Sequence, residues 1–128
     1  MEWSEQLAER VGSKHVQIFL PSVDRDEVPI PQGQDYWVEE CLRVMGEQFG
    51  GATAFPRSRG VWRDDERGGT LIYDDTVIVF SYVAEDDLTG EGGDALMQFI
   101  RRLGREGRQG EVGIYVNDRY FGIQDFEE

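Results

Sequence analysis

The residues best suited to bind a charged ligand lie in one short stretch, residues 57–67. It holds the guanidinium groups of Arg57, Arg59 and Arg63, the indole of Trp62 and three adjacent carboxylates. Guanidinium groups pair with carboxylate or phosphate in a fork geometry, and an indole offers a stacking surface. The stretch therefore predicts a hairpin that binds an anion or a protein partner. The simpler alternative is a solvated hairpin tip whose charges pair with one another while Trp62 packs on the sheet.

A second candidate site lies on one face of a predicted sheet. In the first strand, three aliphatic residues alternate with His15, Gln17 and Phe19, so these three share the face away from the aliphatic ones. The same alternation in residues 112–116 places Tyr115 on that face. If helices cover the aliphatic face, the mixed aromatic and polar face stays open, which is typical of a binding surface. A second copy of the chain, the N-terminal segment or a separate ligand or partner are the three possible occupants.

Other residues that could do chemistry have simpler interpretations. The single cysteine, Cys41, lies on an apolar helical stripe, which indicates a buried structural thiol. The single histidine, His15, could act as a general base, although a residue satisfied within the sheet is the simpler interpretation. The acidic pair Asp74-Asp75 is expected at a turn between strand segments, and neighbouring strand residues point to opposite faces, which makes a poor chelate. We therefore predict no bound metal and no cofactor.

The glycine-rich stretch 89–93 precedes a predicted helix, where glycine loops can hold phosphate. Carboxylates surround it and no lysine is present, so an anion would be repelled. A flexible loop is the expectation.

Charge and hydropathy exclude several classes of protein. The 128 residues contain 26 acidic and 13 basic side chains, a net charge of −13. This charge argues against nucleic acid as the main partner and against anionic membrane surfaces. The longest apolar run has four residues, far below the ~20 of a transmembrane helix, and the acidic N-terminus is unlike a signal peptide. We expect one cytoplasmic domain, 1–128, with no disulfide.

Hydrophobic periodicity predicts alternating strands and helices. The apolar stripe of the first long helix has helical spacing, and Asp94 is the expected N-cap of the second. Asn117-Asp118 suits a two-residue hairpin turn. The predicted elements are a short helix 3–11, a strand 15–20, a helix 35–49, a hairpin 60–63 with 70–73, a strand 76–83, a helix 94–106, and strands 112–116 and 119–124.

This order, βαββαβ with an extra C-terminal strand, predicts an α+β two-layer sandwich of the ferredoxin-like type. The segment Thr53–Phe80, with Arg59-Gly60-Val61-Trp62-Arg63-Asp64 ahead of a valine-rich strand, resembles a family of short bacterial proteins of unknown function. Gln109-Gly110-Glu111-Val112 also fits that pattern. The resemblance covers residues 14–117, implies a ferredoxin-like fold, and brings no catalytic residues. The sequence departs from it at 21–33 and in the final hairpin.

No motif specific for a reaction is present, so the sequence favours a non-enzymatic module. We predict a small acidic binding or accessory protein that acts through protein contacts, as a homodimer or as an antitoxin- or immunity-like partner of a basic effector. The alternative is a dimeric α+β enzyme or small-ligand protein with its site on the open sheet face or the arginine-rich hairpin. A metal-dependent nuclease that uses the clustered acids is a third, weaker hypothesis.

Overall fold

The computed structural model describes residues 14–127, and the elements below refer to that range. The predicted helix 3–11 lies outside it. The strands are β1 (Lys14–Leu20), β2 (Thr53–Ala54), β3 (Ser58–Asp64), β4 (Thr70–Val83), β5 (Val112–Val116) and β6 (Arg119–Ile123). The helices are α1 (Gln34–Phe49) and α2 (Glu91–Glu106), with short 3-10 turns at Asp65–Arg67 and Glu85–Leu88.

The strands form one antiparallel sheet in the order β2-β4-β1-β5-β6, and β3 pairs with the first half of β4. The register sets Ile18 opposite Val79 on one side and Ile114 on the other. Because side chains alternate between the faces of a strand, this register gathers the aliphatic residues of three strands on one face. The predicted mixed α+β architecture, with helices packed on a sheet, is confirmed.

Both helices lie on that aliphatic face and close the core. The fully buried side chains of α1 are Trp37, Cys41 and Met45, each one turn from the next. From α2, Ile100 and Leu103 are fully buried against the same strands. Gly50 ends α1 in the left-handed conformation, as glycine-rich helix ends commonly do. No helix within residues 14–127 has the length and apolar character that crossing a membrane requires.

Strand β4 is longer than the sequence predicts. Asp74 and Asp75 were expected at a turn, but β4 runs without interruption through both of them. The expectation is wrong because the ladder continues: Asp74 pairs with Gly60 and Asp75 with Arg59. The two carboxylates do lie on opposite faces, with Asp74 buried and Asp75 exposed. The 14 residues span about 45 Å and carry the β3–β4 hairpin beyond the end of β1, where the pairing of β1 with β4 stops at Val77, as a tongue.

The second helix also begins earlier than predicted. It starts at Glu91, so Asp94 lies in its first turn and is not the N-cap. The expected flexible glycine loop is therefore partly helical. A Cβ at Gly93 would lie 2.0 Å from the carbonyl oxygen of Leu88, so only glycine allows the helix to start this close to the preceding turn.

Candidate functional site

The face of the sheet opposite the helices is open and aromatic within the described residues. His15, Gln17 and Phe19 alternate with the core residues of β1, as predicted. Gln17 lies between Tyr115 on one neighbouring strand and Phe80 on the other. The centroid of the His15 ring is 5.1 Å from that of Phe80 and 6.2 Å from that of Tyr115. We call this surface the open face. It brings the four residues predicted from the strands together.

The tongue consists of β3, residues 65–69 and Thr70–Thr76 of β4, and it has two different faces. Cross-strand pairing sets Trp62 opposite Ile72 on the face that continues the open face. On the outer face, Val61 pairs with Tyr73. Trp62 is 42% exposed and Val61 is 53% exposed, so both faces present apolar surface to solvent.

The arginines predicted as one binding group are separated in the structure. Arg57 pairs with Asp35 at the start of α1, 3.1 Å between Nη2 and Oδ1. Arg59 stacks over the ring of Tyr73 at 5.1 Å. Arg63 pairs with its neighbour Asp65 at 2.6 Å. Of these contacts, only the Arg63–Asp65 pair lies within the hairpin, as the simpler alternative expects, and Arg57 pairs outside it.

A cleft of about 620 Å³ separates the tongue from the open face, and we call it the tongue cleft. This volume lies within the range of small-molecule sites, roughly 300–1,000 Å³. Phe19 and Gly113 form part of its floor, and Trp62 and Ile72 form a wall. Loops 23–26 and 109–111 complete it. Of the residues predicted as binding groups, Phe19, Trp62 and Arg63 line this cleft, whereas His15, Gln17, Tyr115, Arg57 and Arg59 lie outside it.

The tongue cleft is acidic. Seven carboxylates and three guanidinium groups line it. The guanidinium group of Arg67 contacts Asp64 and Asp26, and that of Arg63 contacts Asp65. Two carboxylates at the cleft, those of Asp74 and Glu111, form no ion pair within the described residues. An arrangement with surplus carboxylate favours a cationic ligand over an anionic one.

Asp74 is one of two buried carboxylates that line the cleft, and Asp24 is the other. Its Oδ1 accepts hydrogen bonds from the backbone N–H of Ser22, at 3.0 Å, and from the Ser22 hydroxyl. Among residues 14–127, no donor reaches Oδ2. Oδ2 is not among the buried side-chain atoms that lack a partner, so it is accessible at the cleft and available to a positive or hydrogen-bond-donating group of a ligand.

Asp24 and Gln109 fix the loops at the edge of the cleft. Asp24 Oδ1 accepts from the backbone N–H of Asp26, at 2.8 Å, and of Val28, at 3.1 Å. Burial opposes ionisation of Asp24, but these two N–H groups and the charges of Arg108 and Arg25 outweigh it, and the pKa of Asp24 is lowered. Gln109 Nε2 donates to the carbonyl oxygen of Val23 at 3.0 Å.

Cys41 lies in the core away from the cleft. Its Sγ is 3.6 Å from Sδ of Met45, and burial raises the pKa of the thiol. A thiol that stays protonated is a poor nucleophile. The prediction of a buried structural cysteine is confirmed.

Sequence reasoning missed most of the polar residues of the cleft. Asp74 was assigned to a turn, and Gln109 and Glu111 were treated only as part of a family-like pattern. Apolar and polar residues do not alternate between Ile72 and Val77, so hydrophobic periodicity gave no signal for Asp74. The loops 23–26 and 109–111 meet only in three dimensions, and local patterns carry no such information.

The fold is similar to that of a phage enzyme. The structure of a phage SAM lyase in complex with S-methyl-5'-thioadenosine matches with a TM-score of 0.64 and 17% sequence identity, over 92% of this chain and 95% of that chain. The apo state of a phage SAM lyase matches with a TM-score of 0.58 at the same identity, over 91% and 94%. No family model and no curated protein matches the sequence. At this identity the likeness establishes a shared fold.

The expectation of a non-enzymatic module is corrected by this likeness. It was drawn from the absence of a recognisable catalytic motif, yet both solved structures described above are those of a SAM lyase. A missing motif therefore does not argue against catalysis in this fold. Of the two functions predicted from the sequence, the enzyme or small-ligand alternative is the one that resembles the activity of these neighbours.

Proposed function

We propose that this chain is a small-molecule enzyme, a lyase that cleaves SAM or a closely related sulfonium in the tongue cleft. The observation that carries the proposal is the cleft itself: an aromatic wall and floor, Trp62 and Phe19, surrounded by an excess of carboxylates. An aromatic surface suits a purine base, and surplus negative charge suits a sulfonium. The phage lyase of this fold binds S-methyl-5'-thioadenosine, a product with both the purine and the sulfur.

The chemistry requires little of the protein's side chains. The bond between the sulfonium sulfur and the γ-carbon of the amino acid breaks, and its electron pair goes to sulfur, which leaves as the neutral thioether of S-methyl-5'-thioadenosine. A lyase adds no water, and the route that needs no base takes the new bond to the γ-carbon from the substrate's own carboxylate oxygen, which closes a five-membered ring. No proton is transferred in this step. The protein therefore needs to fold the substrate onto itself and exclude water.

Apolar walls would accelerate this step. The reacting carboxylate is negative and the sulfonium is positive, and both charges disappear as the bond forms. Such a charge-neutralising step becomes faster when water is replaced by an environment that solvates the charges less well. Trp62, Ile72 and Phe19 provide that environment on two sides of the cleft.

The carboxylates would act mainly in binding. Asp74 has one oxygen held by Ser22, and its other oxygen receives no donor from the described residues. We assign to Asp74 the recognition of the cationic part of the substrate. The neutral product lacks that charge, so it would leave the cleft more readily than the substrate.

Three further features of the sequence prediction belong to this proposal. The strand order β2-β4-β1-β5, with both helices on one face, supports the ferredoxin-like assignment with β6 as the extra strand. The exposed aromatic residues Phe55 and Tyr82, outside the cleft, support self-association through the open face. A free, buried cysteine supports a cytoplasmic location.

The test is incubation of the purified protein with SAM, with release of S-methyl-5'-thioadenosine followed by chromatography, and calorimetric binding of both compounds. We expect turnover and a tighter complex with SAM than with the product. Trp62→Ala removes the stacking wall, worth about 1–3 kcal/mol, and weakens both complexes by roughly 5- to 150-fold. Val61→Ala, on the outer face of the same strand, leaves both unchanged.

Asp74→Asn tests whether the cleft recognises the positive charge of SAM or only its shape. It removes one negative charge at constant size, so SAM binding falls by about 10-fold or more, as for a lost charge-assisted hydrogen bond, while binding of the neutral product is spared. Asp75→Asn, its neighbour on the exposed outer face, is the matched control. If the wild-type protein neither turns over SAM nor binds either compound at millimolar concentration, the proposed function is overturned.

A further inference from the structure

A pair of glycines lies at the edge of the tongue cleft, on the last two strands. Gly113 of β5 pairs directly with Gly122 of β6. A Cβ on Gly122 would lie 2.4 Å from Cδ of Glu111, and a Cβ on Gly113 would lie 2.7 Å from the hydroxyl of Tyr120. Any larger residue at either position would displace these groups. The glycine pair therefore leaves a flat patch of backbone without side chains, which the Glu111 carboxylate and the Tyr120 ring cover. We call this patch the bed.

Both oxygens of Glu111 are held on this bed by donors from the C-terminal hairpin. The Tyr120 hydroxyl donates to Oε2 at 3.1 Å, and Gln124 Nε2 donates to Oε1 at 3.1 Å. Burial, together with the charge and the hydrogen bond of Glu111, raises the pKa of Tyr120 to about 12. The phenol therefore remains a hydrogen-bond donor throughout the neutral range.

The held carboxylate belongs to the lining of the tongue cleft. Glu111, Gln124 and Gly113 all line it, next to Phe19. The ring of Tyr120 packs 6.2 Å from that of Phe19, which ties the bed to the floor of the cleft. A carboxylate oxygen accepts more than one hydrogen bond, so each oxygen of Glu111 keeps acceptor capacity after its protein donor is counted. Two fixed acceptors side by side remain for a ligand.

We propose that Tyr120 and Gln124 are positioning residues, which hold Glu111 over the Gly113–Gly122 pair as a fixed acceptor for the hydrogen-bond donors of a ligand in the tongue cleft. The inference rests on the proposed function only for the identity of that ligand. Holding Glu111 in place preorganises the site, because an exposed glutamate that is already immobilised loses less conformational freedom when the ligand binds.

A double-mutant cycle with S-methyl-5'-thioadenosine as the probe tests this inference. Tyr120→Phe keeps the ring on its bed and removes the donor, and we expect binding to weaken about 3- to 10-fold. Glu111→Gln weakens binding at least as much. Because Tyr120 acts through Glu111, Tyr120→Phe adds no further loss in the Glu111→Gln background. Tyr115→Phe, directly opposite Tyr120 in the ladder and outside the cleft, is the matched control and leaves binding unchanged.

A second measurement needs no ligand. With ring-labelled tyrosine, the pKa of Tyr120 is expected to fall from about 12 in the Glu111→Gln variant, because the charge that opposes ionisation is gone. Losses that simply add in the cycle, or a Tyr120 pKa that does not change, overturn the inference. If the wild-type protein binds no nucleoside, the proposed function fails. The titration of Tyr120 still shows whether its pKa depends on Glu111, so the two proposals can fail separately.

Discussion

At the scale of single residues, the same residue type performs opposite tasks according to its surroundings. Asp24 is buried and fully used by the protein, because its oxygens receive two backbone N–H groups and the Arg108 guanidinium. Asp74 is equally buried but keeps one oxygen without a donor among the described residues. The first carboxylate holds a loop in place, and the second is available to a ligand.

The lowered pKa of Asp24 predicts a stability that depends on pH. A carboxyl with a lower pKa in the folded state than its unfolded value of ~3.9 stabilises the fold above that value, and this stabilisation is lost as the pH falls through the folded pKa. We expect Asp24→Asn to unfold at lower urea concentration than wild type at pH ~7. The two proteins should converge at a lower pH, below the folded pKa of Asp24, where its carboxyl is protonated in both states.

Equilibrium urea unfolding at both pH values is the measurement. Asp86→Asn, at an exposed carboxylate of the Glu85–Leu88 turn, controls for the loss of one negative charge and should change neither midpoint. A difference between wild type and Asp24→Asn that persists unchanged at low pH would contradict a role for the ionised carboxylate.

How much of the structure the sequence could predict also differs from residue to residue. The alternation in β1 correctly placed Val16 in the core and Gln17 on the other face, since a period of two follows directly from strand geometry. Trp37 was not assigned to the helical stripe, although it is fully buried. Its Nε1 donates to the carbonyl of Pro31, a partner in an irregular loop that no periodicity could supply.

At the scale of elements, the tongue explains why two separate candidate sites became one. The sequence offered the hairpin and the open face as alternatives, and it placed a turn at Asp74-Asp75 between the strand segments that belong to them. In the structure β4 belongs to both, and Trp62 of the hairpin and Phe19 of the open face line the same cleft. Turn propensity predicted the break, but ladder hydrogen bonds and side-chain packing along β4 decided the outcome.

The tip of the tongue is tied to the opposite loop by Arg67. Its guanidinium contacts Asp26 at 3.5 Å and Glu27 at 3.6 Å, and it donates to the carbonyl of Arg25 at 3.2 Å. Each group is about half exposed, so each ion pair is worth roughly 0.2–1 kcal/mol and is screened by salt. These contacts limit the opening of the cleft without contributing much to folding.

We therefore expect Arg67→Ala to expose Trp62 with little loss of stability. In a Trp3→Phe background, acrylamide should quench the remaining fluorescence more strongly in Arg67→Ala than in the parent, because Trp37 is buried in both. Arg63→Ala is the matched control, since Arg63 pairs with Asp65 within the tongue itself. Equal quenching in all three proteins would show that Arg67 does not restrain the tongue.

At the scale of the whole molecule, the charge and the open face act against each other. The net charge of −13 repels a second copy, whereas exposed aromatic residues such as Tyr82, 64% exposed, favour contact with one. Salt screens the repulsion and leaves apolar attraction in place. The balance between the two should therefore depend on ionic strength.

Light scattering at rising salt concentration tests the self-association proposed above. We expect a mass above that of one chain, with association strengthening as salt increases. Tyr82→Asp should shift the equilibrium to the monomer, and Val28→Asp, the same charge change at a similarly exposed position in the 21–33 loop, should have a smaller effect. A strict monomer at every salt concentration would contradict it.

Strand β4 also constrains how this protein can vary in evolution. Its first half forms the wall of the cleft and its second half pairs with β1 in the core, and no loop separates the two. Inserting one residue between them would turn Trp62 and Ile72 outward relative to the cleft, because each added residue reverses the face of a strand. The length of the tongue can therefore change only by paired insertions in β3 and β4 or by insertions at its tip. The tip consists of Gly68 and Gly69, which both already have positive φ.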